Sequence, residues 1–269
     1  MIKVPFYWLD VFTSQQFKGN PAAVCLMKTD YEDKVYQNIA TELKLSETAF
    51  TENIKDNEYK LRWFTPTMEA PLCGHATMAT AHTLFTKLDV KSPIMFHTMS
   101  GVMKVEKEKD GIALNFPFYS IEETNDLKIL ELLGIRDYVE VSYSNLGAFT
   151  VVLKESSQVS DVKPDFAKMR EYCGKKNILG AIVTAKRGGS IDYVYRVFGS
   201  GAGVDEDQGT GIAQCIIARY WGSKLGKTRM RSLQLSERGS EMFVEIGENG
   251  VRITGKVAEL IEGHLTLQL

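Results

Sequence analysis

Three short segments of the chain carry side chains that can hold or move protons. They are residues Ser46 to Phe50, with one carboxylate, Leu72 to Thr77, with a thiol and an imidazole, and Glu206 to Gly211, with two carboxylates. A carboxyl group in a poorly solvated pocket has a raised pKa, so it can exchange protons near neutral pH. These segments are therefore the candidates for general acid and base chemistry.

Each of these groups also has an ordinary structural interpretation. Glu47 fits a surface position on a half-exposed strand, and Cys73 fits a small buried apolar residue. His75 fits a residue that braces a helix, and Asp207 fits a helix cap. A cysteine at a helix N-terminus would favour the thiolate if solvent could reach it. The residue types alone leave both interpretations open.

The segment from Ala70 to Phe85 predicts how the thiol and the imidazole are positioned. After Cys73, Gly74 and His75 the residues are small or apolar on almost every side. A helix of this kind must be enclosed, because it has no polar face to present to water. We therefore predict a buried helix over Thr77 to Phe85, wrapped by strands. Its first N–H groups are a ready site for an anion.

A second stretch of the same type follows later in the chain. Gln208-Gly209-Thr210-Gly211 precedes a largely apolar segment, which predicts a second enclosed helix over Ile212 to Tyr220. Strand and helix patterns recur in a similar order in both halves. We therefore expect two α/β domains, residues 1–120 and 121–269, with the last strand able to return to the first half. The boundary is expected around Phe118 to Asn125.

The composition excludes several classes of function. The chain has 269 residues and a formal net charge of −2, which gives no electrostatic reason to bind nucleic acid or an acidic membrane. Its four cysteines are far apart and form no Cys-x-x-Cys pair, so neither a zinc motif nor a disulfide framework is indicated. No signal peptide and no membrane span are recognisable. We expect a cytoplasmic protein.

The order of several motifs resembles the phenazine biosynthesis PhzF-like family, almost from end to end. The matching segments are Asp10-Val11-Phe12-Thr13, Gly19-Asn20-Pro21-Ala22-Ala23-Val24, Leu45-Ser46-Glu47-Thr48-Ala49-Phe50, Arg62-Trp63-Phe64-Thr65-Pro66, Leu72-Cys73-Gly74-His75-Ala76-Thr77, Glu206-Asp207 with Thr210-Gly211, and Ser236-Glu237-Arg238-Gly239.

This resemblance implies a fold and a reaction. The family has the diaminopimelate epimerase fold, with two pseudo-symmetric α/β halves, each a curled and mostly antiparallel sheet around a central buried helix. Its phenazine-pathway members isomerise a dihydro-hydroxyanthranilate by moving a proton, without a metal or a cofactor. We therefore expect a small carboxylate substrate, no cofactor, and a second copy of the chain as the partner for assembly.

The resemblance also assigns roles to individual positions. Glu47 matches the catalytic acid or base, and Asp207 is expected to be its acid/base or polar partner. The expected substrate-binding residues are Asn20, Cys73, Gly74, His75, Thr210, Gly211 and Ile212.

The chain departs from the family pattern in the Asp207 segment. Gln208, Ile212 and Gln214 stand where the family usually has proline, serine and histidine. The loss of a hydroxyl at Ile212 removes one hydrogen bond to a substrate, which argues against the phenazine substrate itself.

Two other functions compete with the isomerase. One is an amino-acid or imino-acid epimerase, which in this fold uses two opposed cysteines. Cys73 resembles the first of these, but the position of the second holds Gln208. The other is a binding or scaffold protein that has kept the fold and lost the activity.

Overall fold

A computed structural model describes residues 1–268 of the chain. The packing of the backbone divides it into two units, Met1–Asn115 with Thr254–Leu269, and Phe116–Ile253. The segment that ends the chain thus packs with the first unit. The expected division after residue 120, as a statement about separately folding domains, stays a prediction.

The first unit is a strand-rich layer with two helices. Its strands pair in the order β17, β1, β2, β3, β4, β6, β7, β8, and β5 pairs with β4. The elements are β1 (Ile2–Val11), β2 (Asn20–Met27), α1 (Asp33–Leu43), β3 (Glu47–Lys55), β4 (Glu58–Phe64), β5 (Glu69–Ala70), α2 (Gly74–Lys87), β6 (Ile94–Thr98), β7 (Gly101–Glu108), β8 (Gly111–Pro117) and β17 (Val257–Leu267).

Two of these strand pairs are parallel, β2 with β3 and β4 with β6, and the others are antiparallel. A parallel pair needs a long crossover connection, whereas antiparallel neighbours can be joined by tight turns. The two crossovers contain α1 and α2. The parallel pairs therefore explain why this largely antiparallel sheet carries helices at these two places.

Helix α2 is the enclosed helix predicted from the sequence. It packs against β1, β2 and β3, and ten of its 14 residues are buried. Three buried threonines, Thr77, Thr80 and Thr83, donate their hydroxyls to carbonyls four residues earlier, at 2.6, 2.8 and 3.0 Å. These hydrogen bonds satisfy polar side chains inside a helix that is buried on most sides.

The second unit repeats the same order of pairings. From β10 to β15 its strands pair antiparallel, parallel, antiparallel, parallel and antiparallel, as β1, β2, β3, β4, β6 and β7 do. The elements are β9 (Ile121–Glu123), α3 (Lys128–Leu133), β10 (Glu140–Ser144), β11 (Ala148–Leu153), α4 (Ser156–Asp161), α5 (Phe166–Lys176), β12 (Gly180–Gly188), β13 (Ile191–Phe198), α6 (Gln214–Leu225), β14 (Arg229–Gln234), β15 (Ser240–Ile246) and β16 (Gly250–Gly255).

One core of the second unit lies where α3, α4 and α5 meet β10 to β13. Helix α6 is largely enclosed, with seven of its 12 residues buried. Its Trp221 donates from the indole nitrogen to Thr184 Oγ1 at 2.9 Å and stacks on Tyr193 with ring centroids 5.8 Å apart. The expected fold class, a repeated α/β unit with an enclosed helix, is confirmed.

The start of the second enclosed helix differs from the prediction for a local reason. Helix α6 begins at Gln214, because Gly211–Ala213 form a 3₁₀ turn before it. Elsewhere, Asp30 accepts a hydrogen bond from the Tyr36 hydroxyl at 2.7 Å, and α1 begins three residues after Asp30. Asp165 caps α5 by accepting from Lys168 N.

Candidate active site

Two neighbouring strand starts position the polar residues of the first unit. β2 and β3 run parallel with Ala22 opposite Glu47, so Asn20 and Glu47 both lie at the same end of the sheet. β4 runs back toward this end, where Phe64 pairs with Thr48. Because α2 starts ten residues after Phe64, its first turn can return to the same place.

His75 is the centre of this group and is only 8% exposed. Its Nε2 lies 3.2 Å from Glu47 Oε2 and 3.4 Å from Ser46 Oγ. Its Nδ1 lies 3.4 Å from the Asn20 side-chain nitrogen and 3.5 Å from Cys73 Sγ. The side-chain nitrogen of Asn20 can only donate, so Nδ1 accepts and the ring proton lies on Nε2, within reach of Ser46 Oγ.

The Glu47 carboxylate is mostly shielded from solvent, with its side chain 20% exposed. Its Oε2 atom is buried and receives no hydrogen bond from residues 1–268, because the 3.2 Å contact with His75 Nε2 lacks the alignment of a hydrogen bond. Buried carboxylate oxygens normally have a donor, so an unused acceptor at this depth needs an explanation. The position is thus more enclosed than the surface strand position that the residue type alone would suggest.

Ser46 is a member of this group that the sequence did not single out. Its hydroxyl contacts Asn20 Oδ1 at 3.4 Å and the Pro21 carbonyl at 3.3 Å, in addition to His75. The signal was available, because Ser46 directly precedes Glu47 in the same motif. A small hydroxyl there links the two strand starts to the imidazole.

Cys73 is the N-cap residue of α2 and is 5% exposed. Its side chain makes no capping hydrogen bond to the helix, and its sulfur faces His75. One ligand-type atom from each of Glu47, Cys73 and His75 lies within 4.8 Å of the others. Together with Gly74, these residues and Asn20 are the predicted site residues that the first unit brings together.

The second unit places Asp207 in a tight turn before α6. Its carboxylate accepts from Gly209 N at 3.4 Å and from the Thr210 hydroxyl. Gln234 ties the turn together, donating to the Asp207 carbonyl and accepting from Thr210 N at 2.7 Å. Gly211 and Ile212 open the 3₁₀ turn that follows. The predicted residues of this segment are thus adjacent in one turn.

The three departures from the family pattern have different surroundings. Gln214 is fully buried, where it accepts from the Tyr193 hydroxyl and donates to Ser232 Oγ at 3.3 Å. Gln208 braces the loop that follows β14, since its carbonyl accepts from the Ser236 hydroxyl at 2.7 Å. Ile212 is half-buried. Gln214 therefore belongs to the core of the second unit, and only Ile212 replaces a hydroxyl at a half-exposed position.

Cys215, Cys25 and Cys173 are buried thiols, and their burial raises their pKa values. Cys215 is 1% exposed inside α6, and burial raises the pKa of its thiol to about 12. Burial likewise raises the pKa of Cys25 and Cys173.

Among residues 1–268, no helix is both long enough and apolar enough to cross a membrane.

The fold defines the structural class first. The chain has an α/β fold of the epimerase-like type, built from a repeated sheet with an enclosed helix. A predicted epimerase from Pseudomonas aeruginosa, 19% identical, has the same fold with a TM-score of 0.76 over 98% of this chain and 100% of that one.

The particular family follows from closer matches. Residues 9–263 match the profile described as phenazine biosynthesis-like protein, so the chain belongs to the PhzC-PhzF family. An uncharacterized isomerase of Pseudomonas aeruginosa is 39% identical over 99% of this chain and 100% of its own length. The crystal structure of a PhzF family protein from Enterococcus faecalis is 36% identical, with a TM-score of 0.92 over 99% of this chain and 100% of that one.

Proposed function

We propose that this protein is an isomerase that moves a proton within a small carboxylate-bearing substrate, with Glu47 as the proton carrier. The isomerase class rests on the family and on the description of its relative from Pseudomonas aeruginosa. The observation that carries the mechanism is the Glu47 Oε2 atom, which is buried and receives no hydrogen bond from residues 1–268.

Glu47 suits this role because no hydrogen bond from residues 1–268 occupies its buried Oε2 atom. A base must reach the proton that it removes, and an oxygen already holding strong donors would compete with that proton. His75 holds the carboxylate from one side, with Nε2 at 3.2 Å. We assign His75 as a positioning residue that orients Glu47, with Asn20 and Ser46 fixing the imidazole ring.

The start of α2 provides a place for the substrate's negative charge. Its first N–H groups, at Gly74, His75 and Ala76, have no acceptor within the helix, and the helix dipole adds partial positive charge there. Gly74 has no Cβ, so a ligand can approach the backbone closely. A carboxylate bound at these N–H groups would place the rest of the substrate beside Glu47.

We further propose Asp207 as the acid/base or polar partner from the second unit. Its orientation is set by Gly209 N and by the Thr210 hydroxyl, which both contact its carboxylate. A fixed orientation reduces the cost of positioning a catalytic group. The proposal predicts that Asp207→Asn lowers turnover without unfolding the chain.

An epimerase mechanism with two cysteine bases has less support than the carboxylate mechanism. Cys215 is the thiol nearest to the second motif in sequence, but it lies inside α6 with a strongly raised pKa. A thiol that stays protonated cannot act as a base near neutral pH. Carboxylate chemistry through Glu47 accounts for the site without it.

Solvent deuterium uptake tests the function. The purified protein is incubated in D₂O with a dihydro-hydroxyanthranilate and with a panel of small amino and imino acids, and the ligands are analysed by mass spectrometry and NMR. We expect uptake at a carbon that gains a proton during isomerisation. Glu47→Gln should reduce the rate by about 10²–10⁴-fold.

Glu52→Gln is the matched control, because it lies five residues further along β3 and so on its opposite face. It should keep the wild-type rate. Uptake only at the α-carbon of an amino acid would favour an epimerase. No uptake with any ligand of the panel would favour a scaffold, and an active Glu47→Gln enzyme would move the chemistry away from Glu47.

A further inference from the structure

The mixed donor set at Cys73, His75 and Glu47 has a second chemical capacity besides proton transfer. It combines a sulfur, a ring nitrogen and a carboxylate oxygen, all within 4.8 Å of one another. Thiolate, imidazole and carboxylate are the three ligand types that Zn²⁺ uses in proteins. Two of the three side chains are buried, so they are already removed from competing water.

The thiol and the imidazole already have the spacing of two ligands on one ion. With Zn–S near 2.3 Å and Zn–N near 2.05 Å, tetrahedral angles put the sulfur and nitrogen about 3.6 Å apart. Cys73 Sγ and His75 Nδ1 are 3.5 Å apart. Nδ1 carries the available lone pair when the ring proton lies on Nε2, and an ion there would replace the weak contact with Asn20.

Glu47 must turn from one ring nitrogen toward the other to become the third ligand. Its Oε2 atom lies 3.2 Å from His75 Nε2, whereas the ion would bind Nδ1. An oxygen and a nitrogen bound to one tetrahedral ion are about 3.3–3.4 Å apart, and the three ligand atoms already lie within 4.8 Å of one another. The turn breaks the close contact with Nε2 but no hydrogen bond, because Oε2 receives none from residues 1–268. Three protein ligands leave one position open.

We propose that Cys73, His75 and Glu47 form a reversible Zn²⁺ site that switches the isomerase off. Binding converts the Cys73 thiol to a thiolate and releases its proton to solvent, with no change of oxidation state. Glu47 cannot carry a substrate proton while it is bound to the ion, so metal occupancy and turnover exclude each other. The inhibitory consequence rests on the proposed function, whereas the metal site does not.

The experiment reads the metal directly. The full-length protein is freed of metal with a chelator and titrated with Co²⁺, which replaces Zn²⁺ and is coloured in tetrahedral sites. We expect visible d–d bands and a near-ultraviolet sulfur-to-cobalt charge-transfer band, both abolished when Zn²⁺ is added. Zn²⁺ affinity is then measured by competition with a coloured chelator.

Three variants locate the ligands. Cys73→Ser should remove the charge-transfer band and weaken Zn²⁺ binding by at least about a hundredfold, more than the loss usual for an outer-shell change. Glu47→Gln should keep the band and bind Zn²⁺ at least about a hundredfold more weakly, because it too removes a direct ligand rather than an outer-shell contact. Cys215→Ala is the control thiol, and its spectrum and affinity should match those of the wild type.

Two results would overturn the site. One is a Cys73→Ser protein that binds Zn²⁺ as tightly as the wild type. The other is equal affinity of Glu47→Gln and wild type, which would remove the third ligand. If Cys73→Ser fails to fold by circular dichroism, His75→Gln replaces it, and unchanged affinity there is equally decisive.

Because the cobalt spectrum needs no substrate, it separates this site from the proposed isomerase. Cobalt bands in a protein that shows no deuterium uptake would support the metal site and refute only the proposed function. A chain that turns over substrate but shows no cobalt bands would refute only the metal site. When both hold, added Zn²⁺ should stop turnover and EDTA should restore it.

Discussion

The imidazole of His75 and the carboxylate of Glu47 face each other across the starts of a helix and a strand, with Nε2 3.2 Å from Oε2. The helix start fixes the ring, and the strand start fixes the carboxylate, so neither residue positions the pair alone. If His75 serves to orient Glu47, its replacement should displace the base without removing it.

His75→Gln is therefore expected to lower turnover by roughly ten- to a hundredfold, the scale of a misplaced catalytic group. The measurement is the rate of deuterium uptake as a function of substrate concentration. The loss should fall on kcat rather than on KM, because the base is misplaced while the backbone N–H groups at the start of α2 remain. A rise in KM with an unchanged kcat would contradict the positioning role.

Cys73→Ser distinguishes the carboxylate mechanism from a thiol mechanism. Serine keeps the size of the side chain, so we expect a decrease in turnover of less than about tenfold, far below the roughly 10²–10⁴-fold effect of losing an acid or base. The same deuterium assay measures it. Abolished turnover, or inactivation by an alkylating agent that labels Cys73 alone, would favour the epimerase.

Ile212→Ser tests the missing hydroxyl. Restoring it should tighten binding of a hydroxyanthranilate-like acid, and one hydrogen bond contributes about 0.5–1.5 kcal/mol net, or roughly two- to thirteenfold in affinity. Isothermal titration calorimetry gives the affinity, with Ile212→Ala as the control for lost side-chain volume. Equal affinities of the serine and alanine variants would mean that this hydroxyl does not meet the ligand.

Thr184→Val tests the buried contact between β12 and α6. The Thr184 hydroxyl accepts from the Trp221 indole at 2.9 Å and donates to the Val194 carbonyl at 2.7 Å. Valine keeps the shape but leaves a buried indole N–H without its acceptor, which should lower the free energy of unfolding by about 1–3 kcal/mol. Urea unfolding followed by tryptophan fluorescence measures it.

Thr150→Val is its matched control. The Thr150 hydroxyl is buried in β11 and has no partner among residues 1–268, so its removal should be neutral or stabilising. Equal destabilisation of both variants would mean that the lost volume and shape, rather than the hydrogen bond, account for the Thr184 effect.

His82 gives the first unit a defined dependence on pH. Burial, followed by the nearby Lys87 and Lys107, lowers its pKa below 6.5, and Glu259 opposes this shift. The folded state then binds fewer protons than the unfolded chain, so its contribution to stability is complete above about pH 6.5 and is lost as the pH falls toward the folded pKa.

His82→Gln cannot titrate but can still contact Glu259. Urea unfolding at about pH 7 and about pH 5.5 should show the wild type losing more free energy of unfolding than the variant. Glu259 itself has a lowered pKa and loses its contribution only below about pH 4.5, outside this range. Equal losses in wild type and variant would contradict the assignment.

The two enclosed helices could be predicted from the sequence because their signal is local. The run of small and apolar residues after His75 fixes the burial of α2, whatever packs around it. The motif order likewise located Glu47, Cys73 and His75 before their distances were known. Their contact depends on the parallel register of β2 and β3, which pairing across the chain decides.

Other features could not be predicted because they depend on distant partners. β17 has no clear apolar alternation, and it becomes a strand of 11 residues by pairing with β1. Gln214 stands where the family usually has histidine, and the sequence did not indicate its partners Tyr193 and Ser232, which come from strands on either side of it in sequence. The unused acceptor of Glu47 likewise becomes visible only in three dimensions.

The pairing of β17 with β1 has a consequence for the order of folding. Ile2 lies opposite Leu267, so this strand pair joins residues 265 positions apart (267 − 2). The second unit is one continuous segment that lies inside this loop in the sequence. Pairing across so long a loop is slow, because the entropy of closing the loop is lost before the contacts form. We therefore expect β17 to join β1 late in folding, after pairs such as β1 with β2 that are close in sequence.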